Sequence, residues 1–566
     1  MVSVSNSKIR QKGVYMQKKW VIKHDCRGLN TNEIINIILE DRGVEDVQSL
    51  LFPNEDCLIP FSRMRNIDQA AEIILDGIEN GSKFLSYWDT DDDGCSSGAI
   101  ATRWLRNKGA DVATYINQGK EHGIAKASPE VFKGIDILWI VDSIETRMYP
   151  YERALNAGVK QIIITDHHLV SKSMQKQMEM TGKITLVSSA VDYPNPALSG
   201  SATTWKLCQY MDWMELDDYS DSLVDLAASG LIADMVDIGV ESLENRYICA
   251  KGFSNQVNPA LKKINGSYEY NSQAVSFGIA PLVNAANRVN ENEKVVQLFL
   301  SDDPKEITQL VGDLKECKEL QNLEIAEIMP QLEEQAEAQM DNKVMFFFVE
   351  TNNEIKGLLG NKLLEKYSRP VIVLSERFKV DEETGEITDK EYFGSARAAG
   401  VKNFKEYLDN TGLCGTGGHE LACGLWLDVE VFDDFRNALE DALKDVEFVQ
   451  ETTVDVQIDQ DQITDDLIKK IKLLNRISGT GWPAISVMVS GIKDYEIGTM
   501  SGGKHLKFMI GDGSLLFIKW NYSGDWDNLD GELSAIGTLD CGYFGRTYYR
   551  QLIMNDFAID NWPISC

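Results

Sequence analysis

Two short stretches concentrate the residues of this chain that do acid, base and metal chemistry: Asp89-Thr90-Asp91-Asp92-Asp93-Gly94 and Thr165-Asp166-His167-His168. The chain has only six histidines, and two of them sit side by side in the second stretch. Hard carboxylates beside neutral imidazole suit Mn2+ or Mg2+. Two such ions bridged by carboxylates can clamp a phosphoryl group and activate water, so phosphoester hydrolysis is the natural chemistry. An EF-hand calcium loop is excluded. The run Asp89-x-Asp91-x-Asp93-Gly94 starts like an EF-hand loop, but its twelfth position is Ile100 where a bidentate Glu is required, and it follows a strand-like segment. Taken singly, the first stretch also reads as a solvated acidic turn and the second as a surface histidine pair. Asp142 and Asp234 are further acids that follow apolar runs.

The elements that must position these groups are readable too. Apolar runs at 84–88, 137–141, 162–165 and 184–187 end at Asp89, Asp142, Asp166 and Ser188, with helical patterns between several of them. That alternation predicts a parallel sheet with crossover helices, whose ligands bind outside the carboxyl ends of the strands. Residues 304–340, rich in Leu, Glu, Gln and Lys, read as a long connecting helix. Runs at 344–349 and 370–374 and the stretch Leu413-Cys414-Gly415-Thr416-Gly417-Gly418-His419 predict a second α/β domain. From about Thr452 short β-like segments with turn signals predict a small terminal barrel.

Composition sets bounds. A length of 566 residues implies about three or four domains. With 43% hydrophobic and 25% charged residues the chain has ordinary globular composition. No apolar run approaches membrane-spanning length and the basic N-terminal stretch lacks a continuous apolar segment, so a soluble, cytoplasmic protein without membrane contact is expected. Ten scattered cysteines without a C-x-x-C pair argue against a zinc ribbon and a secreted disulfide framework. The net charge of −32 opposes a nucleic-acid partner at first sight. That objection is not decisive, because a local basic groove can coexist with an acidic exterior and bound ions neutralise clustered carboxylates.

The motifs also carry a family resemblance. Asp89 to Gly94, Asp142, Asp166-His167-His168 and Ala233-Asp234 resemble the four ordered motifs of the DHH phosphoesterase superfamily. Leu198-Ser199-Gly200, Trp205-Lys206-Leu207, Glu244-Asn245-Arg246 and Ile279-Ala280-Pro281-x-x-Asn284-Ala285-Ala286-Asn287-Arg288 resemble its RecJ branch. Gly394-Ser395-Ala396-Arg397 and the Gly417-Gly418-His419-Glu420 stretch resemble the DHH-associated domain. Gly479-Thr480-Gly481-Trp482-Pro483 and Lys504-His505-Leu506-Lys507 resemble the OB-fold that follows it.

The resemblance implies a multidomain α/β architecture: an N-terminal extension and helical lead-in (1–82), a parallel-sheet DHH catalytic domain (83–302), a long connecting helix (303–342), a DHH-associated substrate-binding domain (343–449) and an OB-fold β-barrel (450–566). It implies a single-strand-specific 5′-3′ DNA exonuclease of repair, recombination or replication, using two Mn2+ or Mg2+ ions. A single-strand-binding protein or helicase is the candidate partner, and a monomer the expected state. Asp89, Asp91, Asp93, Asp142, His167, His168 and Asp234 would be metal ligands. Asp166 would orient the histidines, and His168 would touch metal or the scissile phosphate. Asn284, Arg288, Ser395, Arg397, Gly417, Gly418 and His419 would hold the DNA, the last three as a glycine loop close to phosphate. In the terminal domain a minority of Trp520, Tyr522, Trp526, Tyr543, Phe544, Tyr548 and Tyr549 would stack on bases, with Lys504, Lys507, Lys519 and Arg546 near the backbone.

Four features depart from the family pattern. Ser143-Ile144 follow Asp142 where a glycine stands two residues on, and Leu282 replaces an arginine. Asn117-Gln118-Gly119 replace a Pro-x-Arg, leaving Lys120 as the cation, and Asn352-Asn353-Glu354 replace a Trp-His pair. The competing readings are a phosphodiesterase for short oligonucleotides or cyclic dinucleotides and a catalytically weak DNA-binding scaffold of a replication complex.

Overall fold

Runs of apolar residues four to six long, each followed by a helix, can bury both faces only as parallel strands. The computed structural model describes residues 2–5, 17–351, 355–380, 387–522, 531–544 and 547–559. Asn352, Asn353, Glu354, Trp526, Arg546 and the Phe544 side chain lie outside this description. The chain divides into two compact units.

The unit formed by 43–321 and 474–484 holds a five-stranded parallel sheet. Its order is Asp111–Ile116, Lys83–Trp88, Ile137–Val141, Gln161–Asp166, Ile184–Ser188. In register, Trp88 faces both Ile116 and Val141, Val141 faces Thr165, and Asp166 faces Ser188. All five carboxyl ends therefore lie along one edge. The chain leaves Lys83–Trp88 for one flank and returns on the other, so the topological switch point lies beside Asp89 and Asp142. The strand Asp111–Ile116 is an addition to the four predicted runs. It is an edge strand with a half-polar, partly exposed pattern, which mutes the apolar signal. Leu85, Tyr87, Leu138, Ile140, Ile162, Ile164 and Leu186 are buried in one core cluster with the covering helices.

Several motif residues of this unit serve the scaffold. Lys206 and Glu244 form a fully buried ion pair of 2.6 Å, and Glu244 also accepts from Tyr193 Oη (2.8 Å), Asn195 Nδ2 (3.0 Å) and the Ile59 amide (3.1 Å). Such a pair is tolerable only because its remaining lone pairs are satisfied. Arg246, also buried, donates to the carbonyls of Leu50, Ile238 and Ile477 and lies over the Trp482 ring. Gly479 to Pro483, read from sequence with the terminal β-domain, thus groups with the catalytic sheet. The Ile238 amide donates to the Thr480 carbonyl (2.9 Å), and buried Trp482 supplies the apolar face.

The other unit takes in the described parts of 1–42, 322–473 and 485–566. One sheet runs Gly415–His419, Ala422–Asp428, Ile387–Arg397, Val371–Val380, Met345–Phe348, antiparallel except for its last pair. A nine-stranded mixed sheet joins Val2–Ser5, Gln17–Asp25 and Val449–Ile458 to six strands between Val487 and Ile559. Residues 17–25, placed by the sequence in a lead-in to the catalytic domain, pair parallel to Val449–Ile458 instead. Buried Trp20 and Ile22 explain the preference, since they pack with Val454, Met488 and Ile536. Trp520, Tyr543 and Tyr548 are exposed, whereas Tyr522 packs on Phe557.

Pro304–Glu337 is one helix of 34 residues, and the division between the units falls within it. Among the described residues no helix is long and apolar enough to cross a membrane.

Candidate metal centre

The site is built at the switch point from strand ends and helix starts. Asp89 follows the strand Lys83–Trp88, and Asp91 caps the helix Asp92–Asn107 by accepting from the Gly94 amide (3.0 Å). Asp93, in the first turn, reaches the start of the helix Gly200–Glu215 and accepts from the amides of Gly200 (2.8 Å) and Ser201 (3.1 Å). Helix N-termini favour carboxylates through their free N–H groups and dipole. Glycines make the close packing possible. A Cβ at Gly200 would lie 2.4 Å from an Asp142 oxygen, and one at Gly230 2.1 Å from an Asp93 oxygen.

Asp142 has a left-handed backbone with φ 55°, an uncommon conformation that an aspartate adopts more readily than most residues. The two residues after it, which depart from the family pattern, both serve the site. Ser143 Oγ donates to Asp89 (3.0 Å) and accepts from the Gly123 amide (2.8 Å), while the Ile144 amide donates to Asp166 (2.8 Å). Asp166, fully buried, also accepts from the amides of His167 and His168 (2.7 Å each) and from His168 Nδ1 (2.9 Å). It therefore holds the histidine turn and leaves His168 Nε2 available. Burial opposes its ionisation, but the His168 and His167 interactions outweigh it and keep the Asp166 carboxyl below its usual range.

The seven residues named from sequence as metal ligands come together in three overlapping groups: Asp89, Asp91 and Asp142; Asp93, His167 and Asp234; Asp142, His167 and His168. Within each group the candidate ligand atoms lie within 4.8 Å of one another. Asp142 and His167 each belong to two of the groups. Asp142 Oδ1 and His167 Nε2 are buried without a hydrogen-bond partner and lie 3.3 Å apart. With Nε2 unprotonated, these two buried groups present facing lone pairs that a cation between them would satisfy, so the donor set fits a divalent ion. The acid electrostatics agree. Burial, then Asp89, pushes Asp91 up to about 6, and burial, then Asp93 and Asp91, pushes Asp234 up to about 8. Asp142 is raised well above the carboxylate range by burial and by Asp93, Asp166, Asp91 and Asp89. Asp92 stands apart: its side chain accepts from Ser229 Oγ (2.9 Å) in the core.

Three residues near these groups were not assigned a site role from sequence. His122 Nδ1 lies 3.2 Å from Asp89 Oδ1, and its ring edge meets His168 at 5.0 Å. Burial opposes protonation of His122, but the hydrogen bond and charge of Asp89 push it up to about 9. Ser143 is the second. Asn287 is the third, donating to the Thr90 carbonyl at motif one, whereas Asn284 is half-buried one turn earlier. The scarcity of histidine was the available signal for His122, hidden because the strand before its loop went unread. Arg288 ends the helix Ala280–Arg288, which a π-helical turn Val275–Ile279 precedes.

The remaining candidates lie in the other unit. Arg397 Nη1 donates to Ser395 Oγ (2.7 Å) and to the Ala396 carbonyl (2.8 Å). Its guanidinium rests on the helix Lys356–Tyr367 at Gly357, where a Cβ would lie 2.4 Å from Nη2. Gly417, Gly418 and His419 form an exposed edge strand, Gly415–His419, where the sequence suggested a loop. The absence of side chains at both glycines leaves its outer face bare, and pairing with Ala422–Asp428 supplies the order.

Residues 83–231 match the DHH family, N-terminal domain. A putative single-strand DNA-specific exonuclease of Bacillus phage SPbeta, YorK, is 26% identical over 77% of this chain and 78% of its own length. The single-stranded-DNA-specific exonuclease RecJ of Bacillus subtilis is 25% identical over 96% of this chain and 70% of its own. The crystal structure of RecJ in complex with Mn2+ from Thermus thermophilus superimposes with a TM-score of 0.76 at 22% identity, covering 96% of this chain and 79% of that one. Domain match, relatives and fold agree with the ordered acid and histidine motifs and support a RecJ-like protein of the DHH superfamily.

Proposed function

We propose that this protein is a metal-dependent phosphodiesterase that digests single-stranded DNA from its 5′ end. The observation that carries the reading is the buried, partnerless Asp142 and His167 pair at the centre of three overlapping ligand groups. Asp89, Asp91 and Asp142 would hold one ion, and Asp93, His167 and Asp234 the other, with Asp142 and His167 also grouped with His168 between them. Two Mn2+ or Mg2+ ions so held supply charge neutralisation at the phosphoryl group and acidify water.

The chain's own residues do the rest. Asp166 fixes the His168 tautomer by accepting from Nδ1, so that Nε2 is presented to the ion or the scissile phosphate. Asp93 and Asp91 are held by helix N-termini, which keeps the ligands rigid while the phosphate changes charge. Asn284 and Arg288 would contact DNA near the reaction, and Ser395, Arg397 and the Gly417 to His419 edge strand would hold the backbone. The helix Pro304–Glu337 would act as the connector, and the β-segment from 450 onward as an OB-fold with Trp520, Tyr543 and Tyr548 as stacking platforms. A cytoplasmic monomer recruited by a single-strand-binding protein or a helicase completes the proposal.

The test is digestion of one internally labelled oligonucleotide, single- or double-stranded, with either end blocked, in Mn2+, Mg2+ or EDTA. Metal-dependent loss of single strands that stops only with the 5′ block is expected. Intact DNA in every lane would overturn the reading.

A further inference from the structure

Beyond the acids and paired histidines of the motifs, the loop after the edge strand Asp111–Ile116 brings in one more imidazole. We infer that His122 is an additional nitrogen ligand, through Nδ1, of the ion held by Asp89 and Asp91. The inference rests on the metal-dependent reading above and assigns a role that lies outside the motif pattern.

Three observations carry it. First, the loop is built to hold the ring still. Asn117 is buried, accepts from Tyr87 Oη (2.7 Å) and donates to the carbonyls of Glu121 (3.0 Å) and Gly123 (2.8 Å). Asn292 donates to the Gly119 carbonyl (2.8 Å), and the Gly123 amide donates to Ser143 Oγ (2.8 Å). Four side chains thus pin a short loop on either side of His122. The residues that stand where the family pattern has Pro-x-Arg are therefore used for positioning.

Second, the two ring nitrogens have distinct surroundings. Nε2 lies 3.2 Å from the Ile144 carbonyl, which can only accept, so Nε2 carries a proton. Metal-bound histidines characteristically donate their far N–H to a backbone carbonyl in this way. Nδ1 then points at Asp89 Oδ1, 3.2 Å away. Third, that separation suits two neighbouring ligands of one octahedral ion: bonds of about 2.1 Å at right angles place their donor atoms about 3 Å apart. Asp89 Oδ1 receives Ser143 Oγ at 3.0 Å, leaving Oδ2 and the other lone pair of Oδ1 toward the ion. The His122 side chain is about two-fifths exposed.

The test uses the full chain, with His122→Ala, His122→Gln and, as a neighbour that touches Asp89 without nitrogen, Ser143→Ala. Mn2+ binding is followed by calorimetry, and the electron spin-echo modulation of bound Mn2+ reports coordinated nitrogen. Thermal unfolding of the metal-free proteins verifies that each variant is folded. Wild type is expected to bind two Mn2+. Both His122 variants should weaken one of the two sites by at least about tenfold and lose part of the nitrogen modulation. Ser143→Ala should keep that modulation in full. Unchanged nitrogen modulation in the folded His122 variants, or Mn2+ binding that is unaltered or tighter, would overturn the inference and make His122 a counter-charge to Asp89. A wild-type protein that binds no Mn2+ would instead overturn the metal reading itself, so the two failures are distinct.

Discussion

In the proposed reading the acid cluster and the strand Gly415–His419 would be opposite solutions to the handling of phosphate. At the cluster Asp89, Asp93, Asp142 and Asp166 are buried, and Asp89, Asp91, Asp93 and Asp166 are held by amides, a serine or a histidine. The edge strand is exposed, is held mainly by its ladder to Ala422–Asp428, and offers little but backbone. The first concentrates negative charge that only a cation can make tolerable. The second leaves open surface on which a polyanion can lie. What the contrast teaches is that chemistry demands over-determined geometry, whereas grip along a strand demands access.

The sharpest way to break this contrast is at the centre. Asp142→Ala and His167→Ala should each lower hydrolysis of a labelled single strand on the order of a thousandfold, the equivalent of about 4 kcal/mol of charge stabilisation. Affinity for the same strand, measured by fluorescence anisotropy, should change by only a few-fold. Asp166→Asn comes next, because it removes the acceptor that orients His168, and Mn2+ affinity should fall about 10- to 100-fold by calorimetry.

Two glycines separate packing from access. Gly394→Ala would place a Cβ 1.9 Å from the Val373 carbonyl and should cost about 1–3 kcal/mol in denaturant unfolding. Gly417→Ala meets its nearest atom at 3.9 Å, so its stability should stay within about 0.5 kcal/mol while strand binding weakens. Arg397→Ala should weaken binding and reduce the slope of log affinity against log salt by about 0.7, without altering metal affinity.

A further test is a pH dependence. In the metal-free protein Asp91 and Asp234 titrate at about 6 and about 8, above the 3.8 of the unfolded chain. The unfolded state then gives up these protons first as pH rises, so stability falls between about pH 4 and pH 8. Loading Mn2+ should flatten that slope in thermal melts.

Much of this was legible because strand-end acids are local. An apolar run followed by Asp89, Asp142 or Asp166 announces both the strand and the acid at its end, and the parallel arrangement gathers those ends. The edge strand Asp111–Ile116 was not legible, since half-exposed positions erase the apolar run, and with it went His122. Nor could spacing tell that Asp92 turns into the core to meet Ser229 while its neighbours on either side join the cluster.

The sequence by itself determined the kind of chemistry, the order of the motifs and the existence of a parallel sheet, because residue type and periodicity are properties of short segments. Only the tertiary structure decided which acid is shared, which amides hold each carboxylate and where remote segments pair. Gln17–Asp25 beside Val449–Ile458, and Trp482 over Arg246, are contacts between residues hundreds of positions apart. Buried area and hydrogen-bond satisfaction, quantities no local pattern encodes, select such partners.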